Sequence, residues 1–226
     1  MDSEAVMTVL VAQEEDEAVQ IPEWVRDLSA FRRWAKSDRF PQQGQYAFLD
    51  GRIWADPSME REGHNQVKAE VSRVLGTVTK DLRLGRFYVD RMSLVNVEAD
   101  LATEPDGMFV SYAALRDERV RLARRENSLE VVGSPDMVLE IVSPTSVQKD
   151  TVLLRDLYWR AGIPEYWLID PRRNDLVFDI LRHGSKGYFP ARKSGGWMKS
   201  SVFGKSFRLT RENDVMDLAM YSLLFR

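Results

Sequence analysis

The run Met137-Val138-Leu139-Glu140-Ile141-Val142 constrains this chain more than any other feature, because it sets one carboxylate inside an apolar, strand-forming segment. Long and β-branched residues bounded by Pro135-Asp136 and Ser143-Pro144 predict a strand. With a side-chain period of two, Asp136, Val138, Glu140 and Val142 share one face, and Met137, Leu139 and Ile141 the other. An ionised carboxylate is costly to bury unless it is paired or binds a cation. Glu140 is therefore either salt-bridged, to a partner such as Arg155 or His64, or a metal ligand.

The rest of the chain supplies partners for that strand. Trp24, Leu28, Phe31 and Ala35 recur at helical spacing after Pro22 and predict a helix over about 23–36. Tyr46–Trp54 alternates around Asp50-Gly51, a hairpin signal. His64–Lys80 places Val67, Val71, Val74, Leu75 and Val78 on one face, with Lys68, Arg73 and Lys80 pointing elsewhere. His64 falls within about 20° of Val71 and Leu75, on the buried side of that helix; by itself this is equally the position of a hydrogen-bonded core histidine. Strands are expected at Phe87–Val89, Ser93–Val97, Met108–Val110, Tyr166–Ile169, Leu176–Leu181 and Val202–Arg208. A second helix runs from about Lys149 to Arg160, stopped by Ala161-Gly162 and Pro164, and a short terminal helix is expected over Val215–Leu224. This order predicts a mixed sheet flanked by helices, an α/β or α+β domain.

Composition removes several function classes. The chain has no cysteine and two histidines, so disulfides, thiolate catalysis, Cys-based metal sites and multi-His centres are out of reach. The lack of cysteine fits a reducing, cytoplasmic setting. No apolar run approaches the roughly 20 residues of a membrane span, and no G-x-G-x-x-G or Lys-Ser/Thr phosphate loop is present. Residues 1–21 are acidic and lack turn or cap signals, which predicts a mobile tail before one domain over 22–226. The body is mildly basic, most densely over Arg116–Arg125, a stretch that reads either as a solvated face or as a phosphate contact.

A second carboxylate enters at Glu104-Pro105-Asp106-Gly107-Met108-Phe109-Val110, where Asp106 opens another apolar strand. An Asp after Pro is commonly turn chemistry. Together with Glu140, however, it could hold one hard divalent ion.

Pro105-Asp106, then Pro135-Asp136-x-Val138-x-Glu140-x-Val142-Ser143-Pro144, then Tyr158-x-x-Ala161-Gly162-x-Pro164-Glu165-Tyr166-Trp167-x-x-Asp170, resembles the Uma-two family of putative restriction endonucleases. That family lies in the PD-(D/E)xK nuclease superfamily. The resemblance spans roughly residues 30 to 185 and implies a restriction-endonuclease-like α/β fold: a central mixed β-sheet flanked by helices, with the acidic site at the sheet's edge. It further implies metal-assisted hydrolysis of DNA, with Asp106 and Glu140 as carboxylate ligands, the Ile141 carbonyl as a third contact, His64 as the family's helix histidine, and Mg²⁺ or Mn²⁺ as cofactor. Such nucleases often pair to cut both strands, so a homodimer is expected, with Trp197 and Tyr221 as candidate interface residues.

The chain also departs from the family. The superfamily lysine position is Val142, and the alternative position on the following helix falls at Leu154. On an ideal helix the replacements Arg155 and Lys149 lie about 100° and 140° from Leu154. Ala47 and Arg52 stand where the family is often acidic. These departures predict a slow or degenerate endonuclease, and the alternative is an inactive nuclease fold serving as a nucleic-acid-binding or assembly module.

Overall fold

Asp50 and Gly51 turn the chain back on itself with φ of 51° and 76°. Two central residues with positive φ give the type I′ geometry that matches the twist of a two-residue hairpin. In this computed structural model, which describes residues 8–11, 20–125, 128–172 and 175–226, the hairpin joins Gln45–Leu49 to Arg52–Asp56 in antiparallel register. The pair belongs to a seven-stranded sheet that continues through Leu101–Thr103, Ser93–Asn96, Ser128–Gly133 and Val120–Arg125. At its other edge Thr8–Val11 runs parallel to Arg52–Asp56. These four residues, expected in a tail, are thus an edge strand; the tail's acids Asp2, Glu4, Glu14, Glu15, Asp16 and Glu17 lie outside the described residues.

The strand carrying Glu140, Met137–Ile141, lies inside a six-stranded mixed sheet. It pairs parallel with Glu165–Asp170 and antiparallel with Gly107–Ser111, and beyond these lie Val177–Gly184, Gly187–Pro190 and Gly85–Val89. Period-two alternation gives each face its own core. On one face Met137, Leu139, Ile141, Trp167 and Ile169 pack against Val67, Val71, Val74 and Leu75 of the long helix Glu62–Asp81. An antiparallel four-stranded C-terminal sheet joins the same core through Phe207, Tyr221 and Leu223. On the other face Val138 and Tyr166 meet Leu154, Leu157 and Tyr158, together with Ala47 and Trp54 of the hairpin. Each large side chain fully buried here contributes about 1.5–3 kcal/mol.

The second helix has two parts. Lys149–Leu153 is a π-helical turn, in which the Leu154 amide donates to the Lys149 carbonyl, and Leu154–Arg160 is α-helical. It stops as expected: Gly162, at φ 70°, and Ile163 donate back to the carbonyls of Trp159 and Tyr158, the Schellman pattern.

Three expectations are corrected, and the basic stretch, read as a solvated face or a phosphate contact, is placed with Arg116, Arg119 and Arg121 exposed. The first helix starts at Leu28, not at 23, because the Asp27 side chain caps it by accepting from the Ala30 amide at 2.7 Å, while Pro22–Val25 forms a turn. The expected helix over Val215–Leu224 is a turn and a strand: Asp214 accepts from the amides of Met216 and Leu218, and Ala219–Phe225 pairs with Ser206–Asn213. In the Arg116–Arg125 stretch, Arg116 ends a short helix, Arg119 pairs with Asp136 at 2.6 Å, and Val120–Arg125 is the outer strand of the larger sheet. Trp197 and Tyr221, expected at an interface, are engaged within the chain: Tyr221 is buried in the core, and the Trp197 ring lies 4.4 Å from the Arg226 guanidinium. Among the described residues, no helix is long and apolar enough to cross a membrane.

Candidate active site

The antiparallel register Leu139↔Gly107 sets Asp106 one step beyond the paired strands, level with Glu140 and Ile141. Asp106 is 5% exposed. Its Oδ2 accepts from the Ile141 amide at 2.7 Å and lies 3.2 Å from His64 Nε2, and its Oδ1 lies 3.1 Å from Lys68 Nζ. Burial opposes the charge of Asp106, but His64, Lys68 and Lys149 outweigh it and hold the carboxyl at about 2. Glu60 closes the circle: its Oε1 is 2.5 Å from His64 Nδ1 and 2.6 Å from Lys68 Nζ. With a carboxylate at each ring nitrogen, His64 is best satisfied as an imidazolium donating to both. Burial pulls its pKa down, the Asp106 hydrogen bond and charge push it up, and the net direction is up.

Glu140, 1% exposed, lies on the next strand. The Tyr158 hydroxyl donates to its Oε1 at 2.5 Å, and Lys149 Nζ stands 3.7 Å from its Oε2. Burial raises the Glu140 pKa well above the carboxylate range; Lys149 opposes this, and the charges of Asp150 and Asp106 reinforce it. Lys149 Nζ is also 3.1 Å from Asp150 Oδ1 and lies over the Trp54 ring at 4.6 Å. Burial works against this ammonium, and Asp150, Glu140 and Asp106 overcome it, so its pKa is raised. Asp150, whose Oδ2 accepts from the Ser146 hydroxyl, is itself pushed up by burial.

The π turn explains how Lys149 arrives. In an α-helix five residues rotate the chain well past one turn, which is the source of the 140° separation from Leu154. An i→i+5 bond instead closes the turn over five residues. The wider turn brings Lys149 nearer to the side of the helix that Leu154 occupies, with its ammonium among the carboxylates.

Asp106, Ile141, Lys149 and Asp150 face one cavity, together with His64 and Glu60. At its rim Asp56 accepts from the Ser58 hydroxyl at 2.6 Å and the Thr145 hydroxyl at 2.5 Å.

The Uma2 family, described as putative restriction endonuclease, matches residues 28–204. The chain belongs to this family. A crystal structure of a putative nuclease belonging to DUF820 from Anabaena variabilis is similar, with a TM-score of 0.57 and 20% sequence identity, over 79% of this chain and 90% of that chain. At that identity the likeness concerns the fold, and it agrees with a restriction-endonuclease-like α/β architecture. Among proteins of curated function, none matches.

Measured against the residues named from sequence, the structure brings Asp106, Glu140, His64 and Lys149 together and leaves Arg155 aside. The Arg155 guanidinium donates to the Tyr188 carbonyl at 3.0 Å, on the side of the helix facing the small sheet strand Gly187–Pro190. Ile141 meets Asp106 through its amide. Neither Arg155 nor His64 is the partner of Glu140; Lys149 and Tyr158 are.

Lys68, expected to point away from the buried face, is instead 8% exposed within the site. Its signal was present, since four residues from His64 it lies within about 40° of it on the helix. Glu60 precedes the helix and has no periodicity to reveal it, and Asp150 is placed by the π turn.

The donor set fits a divalent cation in part. Oxygens of Glu60 and Asp106 and a nitrogen of His64 lie within 4.8 Å of one another. Four carboxyl groups, Glu60, Asp106, Glu140 and Asp150, stand among the cations His64, Lys68 and Lys149, and Asp150 Oδ1 is buried without an aligned hydrogen-bond donor. This hard oxygen chemistry suits Mg²⁺ or Mn²⁺. The space between Glu60 and Asp106 is already taken by the Lys68 ammonium.

Proposed function

We propose that the protein is a divalent-metal-dependent endonuclease that hydrolyses phosphodiester bonds of DNA. The observation that carries this reading is Asp106, a buried carboxylate at the cavity wall that accepts from the Ile141 amide and faces His64 and Lys68, with the Lys149 ammonium on the same cavity and Glu140 behind it. Membership of a family described as putative restriction endonuclease supports DNA as the substrate.

Asp106, Glu140 and the Ile141 carbonyl would hold Mg²⁺ or Mn²⁺. When bound, the ion would polarise the scissile phosphate and lower the pKa of a water nucleophile. The chain's own groups do the rest. His64 and Lys68 keep Asp106 ionised although it is out of water. Tyr158 fixes the rotamer of Glu140 through its 2.5 Å hydrogen bond. Lys149 presents a permanent positive charge where negative charge develops on the phosphoryl oxygens. The π turn thereby supplies a cation where Leu154 cannot, while Ala47 and Arg52 still stand where the family is often acidic.

The Lys68 position favours a second reading. An ammonium 2.6 and 3.1 Å from Glu60 and Asp106 neutralises them without an ion, as in a nuclease fold retained for binding or assembly. Nicking of supercoiled plasmid in Mg²⁺ and in Mn²⁺ separates the two, with wild type, Asp106→Ala and Lys149→Met purified in parallel. Metal-stimulated nicking that is lost in both variants is the expected result. Nicking that survives Asp106→Ala, or DNA binding without cleavage that ignores chelators, would replace the first reading with the second.

A further inference from the structure

The catalytic cavity is one end of a longer groove. It shares Gln45, Ser58, Met59 and Glu60 with a second depression, which in turn shares Arg91 and Glu104 with a third. The third is a cavity of about 370 Å³, within the range of small-ligand pockets. Its character differs from the catalytic end. Phe31, Phe40, Tyr46 and Met92 form its walls. The rings of Phe40 and Tyr46 meet at 5.4 Å, and Trp34 braces both from behind at 4.9 and 5.8 Å. Along one polar edge lie Ser93, Thr103 and Glu104, and Lys36 and Glu130, paired at 2.7 Å, also line the cavity. Among the described residues Glu104 is half-buried and makes no hydrogen bond or ion pair, and exposed Arg91 stands at the junction beside it.

We propose that this pocket receives one unstacked nucleobase of the DNA, so that the preferred substrate carries an unpaired nucleotide beside the scissile phosphate. The proposal rests on the nuclease reading and names its substrate class. Of the parts of a nucleic acid, only a base combines flat apolar faces with a polar edge, which is what aromatic walls with one rim of Glu104, Ser93 and Thr103 require. Base–aromatic stacking tolerates any base, and a carboxyl at the edge adds preference for an exocyclic amine such as that of cytosine.

Spacing agrees. Glu104 and Asp106 are two residues apart, at most about 7 Å along the chain, which is about two nucleotide rises of roughly 3.4 Å. Arg91, between the pocket and the cavity, is placed to meet the intervening phosphate. A paired base cannot enter, because its faces and edge are engaged within the duplex; extrusion costs least where pairing is already absent.

The test uses the full-length protein and duplexes carrying 2-aminopurine either paired or as a single-nucleotide bulge, read by fluorescence in Ca²⁺, with cleavage in Mg²⁺ followed alongside. Wild type is expected to bind the bulged duplex about tenfold more tightly than the matched one, the size of one base–aromatic stack. Tyr46→Leu should remove most of that preference and Glu104→Gln part of it, each leaving matched-duplex affinity unchanged. Equal affinity for the two duplexes, or a preference that survives both variants, overturns the pocket. Matched-duplex cleavage without the preference sinks this inference and leaves the nuclease standing. The preference without cleavage sinks the nuclease and supports the pocket.

Discussion

Replacing Asp106 by Asn tests the electrostatics on which the site depends. The exchange keeps the shape of the side chain and an oxygen to accept from the Ile141 amide, but removes the charge facing His64 and Lys68. The interval between the ordinary carboxyl value of 3.8 and the folded value of about 2, at 1.36 kcal/mol per pH unit, corresponds to roughly 2.5 kcal/mol of stability. Because the folded value is depressed, this stability is fully present above 3.8 and is lost as pH falls through about 2; roughly half is gone by pH 3. His64 behaves in the opposite sense. Its raised folded value means that its contribution is present below the ordinary 6.5 and lost as pH rises through the folded value, and removing Asp106 should flatten that slope. Urea unfolding in EDTA, followed by tryptophan fluorescence, reads both windows, since Trp34 and Trp167 are fully buried. Wild type should exceed Asp106→Asn by about 2.5 kcal/mol at pH 5, and the two should converge by about 1 kcal/mol at pH 3. Parallel curves over that interval would refute the claim that this cluster holds Asp106 ionised.

Three further outcomes follow from the same geometry. Lys149→Met should lower plasmid nicking by about 10²-fold or more, with the fold kept because the methionine stem can lie on the Trp54 ring and Glu140 can take a proton; a melting curve checks the second half. Tyr158→Phe removes the hydroxyl that donates to Glu140 and should cost about 1.5 kcal/mol in urea unfolding. Arg155→Ala should leave nicking unchanged while costing about 1 kcal/mol for the bond to the Tyr188 carbonyl, and a large loss of nicking would restore Arg155 to the site.

Local chemistry made much of this molecule legible. The Asp50-Gly51 hairpin, the Gly162 helix stop and the apolar stripe of the long helix each depend on residues within a turn or two of one another, and each forms where expected. Asp106 and Glu140 were visible for a related reason: a carboxylate beside or inside an apolar strand contradicts its surroundings and calls for a partner. The partners themselves were harder to read. Lys68 lies on the buried side of its helix, but a lysine there is indistinguishable in sequence from one at the edge of a solvated face. Asp106, just before a strand 38 residues later, with Glu60 and Asp90, turns it inward. Val215–Leu224 has enough apolar residues for a helix, and pairing with Ser206–Asn213 makes Ala219–Phe225 a strand.

The π turn is the clearest case of a feature beyond local reading. Nothing in Lys149-Asp150-Thr151-Val152-Leu153 opposes an α-helix, and the α geometry would carry Lys149 away from the carboxylates. What holds the wider turn comes from elsewhere in the chain. The Tyr166 hydroxyl donates to the Asp150 carbonyl at 2.7 Å, the Ser146 hydroxyl grips the Asp150 carboxylate, and the Lys149 ammonium is drawn between Glu140 and Asp150 over Trp54. Tyr166 belongs to the strand that pairs in parallel with the one carrying Glu140. The sheet register that buries Glu140 thus also stabilises the turn that delivers its cation. A carboxylate and its counter-charge, separated by nine positions in the chain and by a change of helical pitch, are placed by one sheet register.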